Sequence, residues 1–451
     1  MSEDTSSARR EVIDVVRAAL GQRDVAALVA LLEPLHAADI ADLLEQIGAA
    51  DRALLLTLWG AEIDGEILSE IDESIREEVV ASLSPAVLAE AVRELDSDDV
   101  VDILEDLEEP AQERILEALE AGDRAAVEQS LAYPEYSAGR LMQREVVTAP
   151  DHWTVGEAID FLRAEEGLPD QFYHVVLVNP RMKPVGYVTL GRILSARRDV
   201  RLAGIVEDSF RTLSATMPDA EVAWIFNQYH LISCPVVDGA GRLVGVITID
   251  DAMAVLDEEH EEDMLRMAGV GDEASLSDSV VEALKGRALW LFVNLLTAIM
   301  ASLVINAFAE TVEQMVALAV LMPIVASMGG NAGTQTMTVA VRALATRDLT
   351  ANNAWRVIWR EVAVGALNGG LFGLVMAGVA GVWFGVPMLA LVIGSAMVLT
   401  MIAAALGGIV IPMALARVGV DPALASGPFV TTVTDVVGFF AFLGLASSVL
   451  L

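Results

Sequence analysis

A single charged residue lies within the apolar stretch that ends the chain. Asp435 is the only charge between Pro422 and Leu451, and it stands 14 positions after Asp421, roughly 21 Å further along a helix. In a membrane, a carboxylate at such depth costs at least about 2.5–3.5 kcal/mol, and no Lys or Arg lies at comparable depth. One interpretation is a neutral Asp that ties helices together by hydrogen bonds. We favour a carboxylate that attracts a passing cation, with two copies facing the axis of a two-fold dimer.

Polar side chains interrupt two apolar segments around this carboxylate. Residues 323–335 combine one Pro and three Gly with polar residues that include Asn331, and residues 428, 431, 432, 435 and 438 share one helical face. At membrane depth such segments are tolerated only where they are buried in protein or face water. Asn331 and Asp421 therefore join Asp435 as candidate cation ligands. Asp421 has a second interpretation as the N-cap of a helix that begins at Pro422.

An acidic run precedes the apolar part of the chain. Six acids and His260 fill residues 257–263, and apolar residues on both sides keep the spacing of one helix. Such a run would be disordered as a bare linker, because like charges repel. One His is too little for a transition-metal site, whereas oxygen ligands favour hard cations such as Mg²⁺ or Ca²⁺. The run therefore predicts an acidic helix that needs counter-cations.

These groups lie in two chemically different parts of the chain. The 451 residues carry a formal net charge of −37 although 54% of them are apolar. After Lys285 only six basic and six acidic residues remain, so residues 1–285 carry the whole net charge. A polyanionic region repels phosphate backbones, which argues against nucleic-acid binding. One cysteine excludes a disulfide framework, and the polar N-terminus predicts no cleavable signal peptide.

The neutral part predicts five membrane-spanning helices. Their candidate segments are Ala288–Phe308, a helix within 314–341, two helices within 362–416 that are separated at residues 385–387, and a fifth from Pro422 onward. Basic residues lie before the first span, between the second and third spans, and between the fourth and fifth spans. The positive-inside rule then places the N-terminal domains in the cytosol and Leu451 outside the cytoplasmic membrane.

An internal repeat occupies most of residues 141–256. Residues 185–194 match residues 244–253 at an offset of 59, and each copy is expected to contain a helix and two apolar strands. The tandem resembles a pair of CBS domains, which often bind adenine nucleotides such as ATP. Thr248 and Asp251 form one candidate half-site, whereas the first copy has Thr189 but Arg192 in place of the Asp.

The complete prediction is a multidomain fold that combines α with α/β structure. Short amphipathic blocks predict an acidic helical superhelix for residues 1–132. The α/β pair follows at 133–256, a connecting acidic helix and linker at 257–285, and a five-helix transmembrane domain at 286–451.

The motifs at Pro323–Gln335 and Asp421–Gly438, together with these domains, resemble the MgtE family of magnesium channels. The resemblance covers nearly the whole chain and implies a homodimer with a central pore for Mg²⁺. Asp435 would bind hydrated Mg²⁺ and Asp421 would lie at the cytoplasmic mouth. The acidic helix resembles the family's plug helix.

The resemblance also implies which acids sense cytosolic Mg²⁺ and close the pore. These are Glu66, Asp98, Asp102, Asp251, Glu259, Glu262 and Asp263. His230, Ala254 and Ala220 stand where the family pattern has acids, which implies fewer or weaker sensing sites.

Three other functions fit the sequence less well. A secondary transporter of Mg²⁺, Co²⁺ or Mn²⁺ would need a second titrating group deep in the spans, and none is found beyond Asp435. A membrane enzyme regulated by CBS domains is disfavoured because the spans contain no His. An anion channel is disfavoured by the deep carboxylate.

Overall fold

The computed structural model describes residues 2–165, 167–169, 171–271, 274 and 280–450, with side chains from residue 12 onward except that of residue 425. Part of the linker expected at 257–285, and two positions of the connection between residues 164 and 174, lie outside this description. The chain forms two compact units, Met1–Asp257 and Glu258–Leu451.

The first unit begins with a stack of short helices. Their bounds are α1 Ser2–Gln22, α2 Val25–Leu32, α3 Ala37–Gln46, α4 Ala49–Trp59, α5 Gly65–Ser69, α6 Glu73–Ser82, α7 Pro85–Glu94, α8 Ser97–Glu105, α9 Glu109–Ala118 and α10 Ala121–Leu131. Helices two places apart pack together, as α3 does with α5, α5 with α7 and α7 with α9. This arrangement confirms the predicted superhelix.

Polar side chains in the short connections cap the N-termini of several of these helices. The Asp24 carboxylate accepts from the Ala27 N–H at 3.1 Å, and the Asp64 carboxylate accepts from the Ile67 N–H at 2.9 Å. Ser84 caps α7 directly before Pro85, a residue that favours the first helical position. Leucine and isoleucine side chains from successive helices then form one continuous core.

Two α/β repeats complete the first unit. The first contains α11 Ala138–Leu141, β1 Thr148–Pro150, α12 Val155–Ala164, β2 His174–Val178, β3 Pro184–Thr189 and α13 Leu190–Ser195. The second contains β4 Leu213–Ser214, α14 Asp219–Tyr229, β5 Ser233–Val237, β6 Leu243–Thr248 and the start of α15 Ile249–Ala268. From Glu258 onward the residues of α15 belong to the second unit. In each sheet the first pair of strands is parallel and the second pair antiparallel. The offset of 59 places β2 on β5 and β3 on β6, so the repeat is confirmed.

The second unit contains five helices that are long and apolar enough to cross a membrane, counted over the described residues. They are α16 Val280–Ala307, α18 Ala317–Ala345, α19 Ala354–Phe384, α20 Pro387–Arg417 and α21 Pro422–Val449, and the short α17 Ala309–Gln314 follows α16. The predicted separation between the third and fourth spans is confirmed, since Gly385 ends α19 at a positive φ of 67°. α20 packs against α18, α19 and α21.

Glycines allow these helices to approach closely. A Cβ on Gly373 would lie 2.7 Å from the Gly394 carbonyl oxygen of α20, and a Cβ on Gly408 would lie 2.7 Å from the Gly333 carbonyl oxygen of α18. Neither contact leaves room for a side chain. These glycines therefore serve helix packing, as small residues do in lipid.

Candidate functional site

Asp435 lies inside α21, within the candidate membrane span Ser426–Val449. An 18-residue window of that span has a mean hydropathy of 1.8, and the Asp435 side chain is neither fully buried nor fully exposed. Within the described residues, no hydrogen bond or ion pair is made to its carboxylate. The alternative of an Asp that ties helices together by hydrogen bonds therefore has no support among the described residues.

Polar neighbours of Asp435 donate hydrogen bonds to backbone carbonyl oxygens of their own helix. The Thr431 hydroxyl donates to the Gly427 carbonyl oxygen at 3.0 Å, and the Thr432 hydroxyl donates to the Pro428 carbonyl oxygen at 2.6 Å. Each hydroxyl oxygen keeps acceptor capacity. This face can therefore offer oxygens to a cation or to its water shell.

The polar residues of α18 form an exposed stripe on that helix. Pro323, Ser327, Asn331, Thr334 and Thr338 are exposed within this chain. The opposite side of α18 packs on α21, since a Cβ on Gly333 would meet Val430 at 2.7 Å and Thr434 at 3.1 Å. α18 and α21 are thus adjacent helices that each present polar groups on a face not buried by this chain.

Asp421 is the N-cap of α21, and it also forms an ion pair. One carboxylate oxygen accepts from the Ala423 N–H at 2.7 Å, so the N-cap interpretation is confirmed. The other oxygen lies 3.2 Å from Nη1 of Arg266, near the end of α15. Nη2 of Arg266 lies 2.7 Å from a Glu262 carboxylate oxygen. Arg266 thus bridges two of the predicted cation ligands.

The last turns of α15 carry the other acids predicted there. Burial raises the pKa of Asp263, and the Asp421 carboxylate raises it further, while Arg266 opposes both effects. Glu259 lies on the same helix with a half-buried side chain. We call Glu262, Asp263 and Asp421 the α21 cluster.

A second acidic group forms where α8 faces the first turn of α15. Burial raises the pKa of Asp98 well above its ordinary range, and the carboxylate of Asp251 raises it further. Burial and the same Asp251 carboxylate raise the pKa of Asp99 to about 7. Over the part of the chain that the structure describes, no Lys, Arg or His forms an ion pair with these three acids. We call Asp98, Asp99 and Asp251 the α8 cluster.

The remaining predicted acids lie outside both clusters. Asp102 is on the exposed side of α8 and lies 3.0 Å from the Nη1 atom of Arg76, a buried arginine that also pairs with Asp106. Glu66 is in the first turn of α5 with an exposed side chain. Among the described residues, no group of three or more His, Cys, Asp or Glu side chains could hold a metal ion unaided.

The two candidate nucleotide-binding residues, Thr248 and Asp251, are hydrogen-bonded to each other. The Thr248 hydroxyl donates to Asp251 at 2.7 Å, and Asp251 in turn faces Asp98. Thr248 also lines a small cleft with Phe172, Tyr187 and Glu145.

Sequence reasoning missed Asp99 and Arg266. Asp99 directly follows a predicted ligand in the first turn of α8, so its type and position were visible but its burial was not. Arg266 follows Glu262 by four residues, the spacing of a helical ion pair. That spacing was a readable signal, whereas the contact with Asp421 spans 155 positions of sequence and was not.

Family profiles match consecutive parts of the chain. The MgtE intracellular N domain matches residues 35–136, CBS domains match residues 138–199 and 202–258, and a profile described as a divalent cation transporter matches residues 322–445. Together with the five apolar helices, these matches place the chain in the class of divalent cation transporters.

Curated relatives and a solved structure narrow that class. The magnesium transporter MgtE of Thermus thermophilus is 35% identical over 325 residues, which are 72% of each chain, and that of Bacillus subtilis is 29% identical over 328 residues, 73% of each. A crystal structure of the cytosolic domain of the Mg²⁺ channel MgtE with ATP is 31% identical and covers 54% of this chain and 99% of that one, with a TM-score of 0.50. The chain therefore belongs to the MgtE family of magnesium transporters. These relatives are named as transporters, not enzymes.

Proposed function

We propose that this chain is a Mg²⁺-selective channel of the cytoplasmic membrane that takes up Mg²⁺ and closes when cytosolic Mg²⁺ binds its acidic sites. The names of the relatives support magnesium as the substrate. A solved relative named as a Mg²⁺ channel supports the channel over a coupled carrier.

The observation that carries the pore is the Asp435 carboxylate inside an apolar helix, with no ion pair or hydrogen bond to it among the described residues. A carboxylate at membrane depth without a cationic partner is costly and is typical of an ion pathway in a membrane protein. Mg²⁺ dehydrates reluctantly and keeps several waters. The carboxylate and the hydroxyls of Thr431 and Thr432 would therefore bind the hydrated ion, and Asn331 on α18 would add a further oxygen.

Closure would draw on the α8 cluster, the α21 cluster and the outlying acids Glu66, Asp102 and Glu259. The carboxylates of the α8 cluster would attract a hard cation, because no ion pair to them is found among the described residues. These acids do not form a complete metal site by themselves, so water would have to supply the remaining ligands. A cation at ten times its dissociation constant stabilises the bound state by about 1.4 kcal/mol. A switch from 1:99 to 99:1 needs about 5.5 kcal/mol. About four such sites, lost in the open state, would suffice.

The working unit of this proposal is a homodimer in the bilayer. The polar stripes of α18 and α21 are not buried by their own chain, so a second copy would close the pore around them. The N-terminal domains would lie in the cytosol and the C-terminus outside, as the basic loops favour.

ATP is proposed as a second ligand, at the pair of α/β repeats. The support is the ATP-bound relative and the cleft that Thr248 lines. In this chain the Asp251 carboxylate already faces Asp98, so a nucleotide would compete with the α8 cluster for it. ATP should therefore change the Mg²⁺ concentration that closes the channel.

The pore proposal is tested by Mg²⁺ uptake into proteoliposomes. Asp435→Asn should reduce uptake by at least tenfold, because it removes the charge that attracts the cation. Glu313→Gln, an exposed acid of α17 outside the five spans, is the matched control and should transport normally. Wild-type uptake should not depend on a proton or sodium gradient. Normal uptake by Asp435→Asn would refute the pore assignment, and gradient dependence would favour a carrier.

A further inference from the structure

The end of α15 meets the start of α21 through a charged contact. The Arg266 guanidinium lies between Glu262 of its own helix and Asp421 at the N-cap of α21, at 2.7 and 3.2 Å. All three side chains are largely shielded, with relative exposures of 21%, 22% and 33%. A shielded contact of this kind is screened by salt less than a surface ion pair.

An apolar contact continues the charged one. Met267, the next residue, packs against a cluster of Met337 and Val341 from α18 with Ala423 and Val430 from α21. The last turn of α15 is thus fixed to the C-terminal part of α18 and the N-terminal part of α21 through both its charge and its apolar side chain. α18 and α21 are the helices that carry the candidate pore residues.

Without the arginine, this contact would bring carboxylates together. Burial and the nearby Asp421 carboxylate raise the pKa of Asp263, and Arg266 opposes this effect. Arginine suits the position because its planar fork can donate to two carboxylates at once, and it stays charged at any physiological pH. A cation bound at the same place would have to compete with it.

We propose that Arg266 is a built-in counter-cation, a positioning residue that holds α15 against the start of α21 without needing Mg²⁺. The α21 cluster then has one positive charge supplied by the chain itself, and a divalent ion adds to this contact instead of creating it. The structural claim does not depend on the proposed function. Only the expected effect on flux depends on the proposed function: without Arg266, closure should need more cytosolic Mg²⁺.

The test measures the contact directly in the full chain. Met264 and Val420, exposed neighbours of Asp263 and Asp421, are replaced by Cys in a Cys234→Ser background and spin-labelled. Labelled chains are diluted with unlabelled ones so that each label pair lies in one chain. Pulsed electron paramagnetic resonance then gives the distance distribution, with EDTA and with Mg²⁺, for Arg266→Gln, Arg266→Lys and the control Arg417→Gln, an exposed arginine at the end of α20.

With EDTA, the labelled chain with Arg266 intact should show one narrow, short distance. The Arg417→Gln control should show the same distance. Arg266→Gln should lose at least half of that population, and Mg²⁺ should restore it, because the divalent ion can replace the missing charge. Arg266→Lys, which keeps the charge but not the fork, should fall between them. If Arg266→Gln does not elute as a folded protein, Arg266→Lys alone must show a partial loss that Mg²⁺ reverses.

Two results would overturn the proposal. One is an unchanged distance in Arg266→Gln with EDTA. The other is a chain with Arg266 whose short distance itself requires Mg²⁺. Loss of uptake in Asp435→Asn is measured independently, so failure of the channel proposal would leave this result interpretable.

Discussion

The α8 cluster and the α21 cluster hold their carboxylates in different electrostatic settings. In the α8 cluster, Asp98, Asp99 and Asp251 are partly buried near one another, and their pKa values rise. In the α21 cluster, Arg266 lies between Glu262 and Asp421. The first arrangement is incomplete without a proton or a cation, whereas the second is already partly neutralised by the chain.

This difference suggests a division of labour. The α8 cluster should respond steeply to cytosolic Mg²⁺, because its folded arrangement is destabilised until a cation arrives. The α21 cluster should act mainly as a fixed link to the membrane helices, with Mg²⁺ adding strength. Each cluster can be altered separately, since they involve different residues of α15.

The largest effect is expected when the acids near the end of α15 are removed together. The channel should stay open, at a cytosolic Mg²⁺ concentration that closes the wild type, in a chain that combines Glu259→Gln, Glu262→Gln and Asp263→Asn. The substitutions remove both a partner of Arg266 and the remaining candidate ligands. Current through excised patches, recorded while cytosolic Mg²⁺ is varied, measures the effect.

The matched control neutralises three exposed acids of α6 and α7, Glu77→Gln, Glu90→Gln and Glu94→Gln. It changes the net charge by the same amount and should close normally. If the α15 variant also closes normally, this helix has no part in gating.

A smaller effect, a shifted midpoint of closure, is expected when acids of the α8 cluster are removed. Asp98→Asn with Asp251→Asn should raise the Mg²⁺ concentration for half closure by about tenfold, which corresponds to about 1.4 kcal/mol of lost binding. The amide oxygen introduced at position 251 would still accept the Thr248 hydrogen bond, so the fold should survive. An unchanged midpoint in the same recordings would show that these acids do not sense Mg²⁺.

The smallest effect is on stability without metal. Asp99→Asn should raise the melting temperature in EDTA by about 2–4 °C, corresponding to about 1 kcal/mol, because it removes a buried charge. The pKa of Asp99 is raised from 3.8 to about 7, so between these values the folded chain holds a proton that the unfolded chain has released. Wild-type stability should therefore fall as pH rises to about 7, and the variant should lose that part of the fall.

Differential scanning calorimetry of the detergent-solubilised chain at several pH values tests this. Glu90→Gln, at an exposed position of α7, is the control and should leave the pH dependence intact. An Asp99→Asn chain that is less stable than the wild type in EDTA would contradict the electrostatic account of the α8 cluster.

Much of the fold could be predicted from the sequence because its signals are local. Apolar length indicated the five spans, Gly385 and Pro387 indicated the separation of two of them, and the offset of 59 indicated the paired strands. Asp435 was conspicuous because it is the single charge in its helix. Its lack of a partner among the described residues of this chain supports the interpretation that the sequence favoured.

The clusters were harder to predict because their members are distant in sequence. The resemblance named Asp98 and Asp251, but only the structure shows that burial raises their pKa values and that Asp99 is affected by the same Asp251 carboxylate. Asp102 looked equivalent to Asp98 in sequence, yet it lies on the exposed side of α8 beside Arg76. Helical periodicity distinguishes such faces only once the neighbouring helix is known.

The most direct test of the account is the wild-type current in patches of reconstituted protein while cytosolic Mg²⁺ is raised. We expect a Mg²⁺ current that needs no proton or sodium gradient and falls steeply as cytosolic Mg²⁺ increases. A current that stays constant as cytosolic Mg²⁺ increases, or Mg²⁺ transport seen only with a coupled ion gradient, would contradict it.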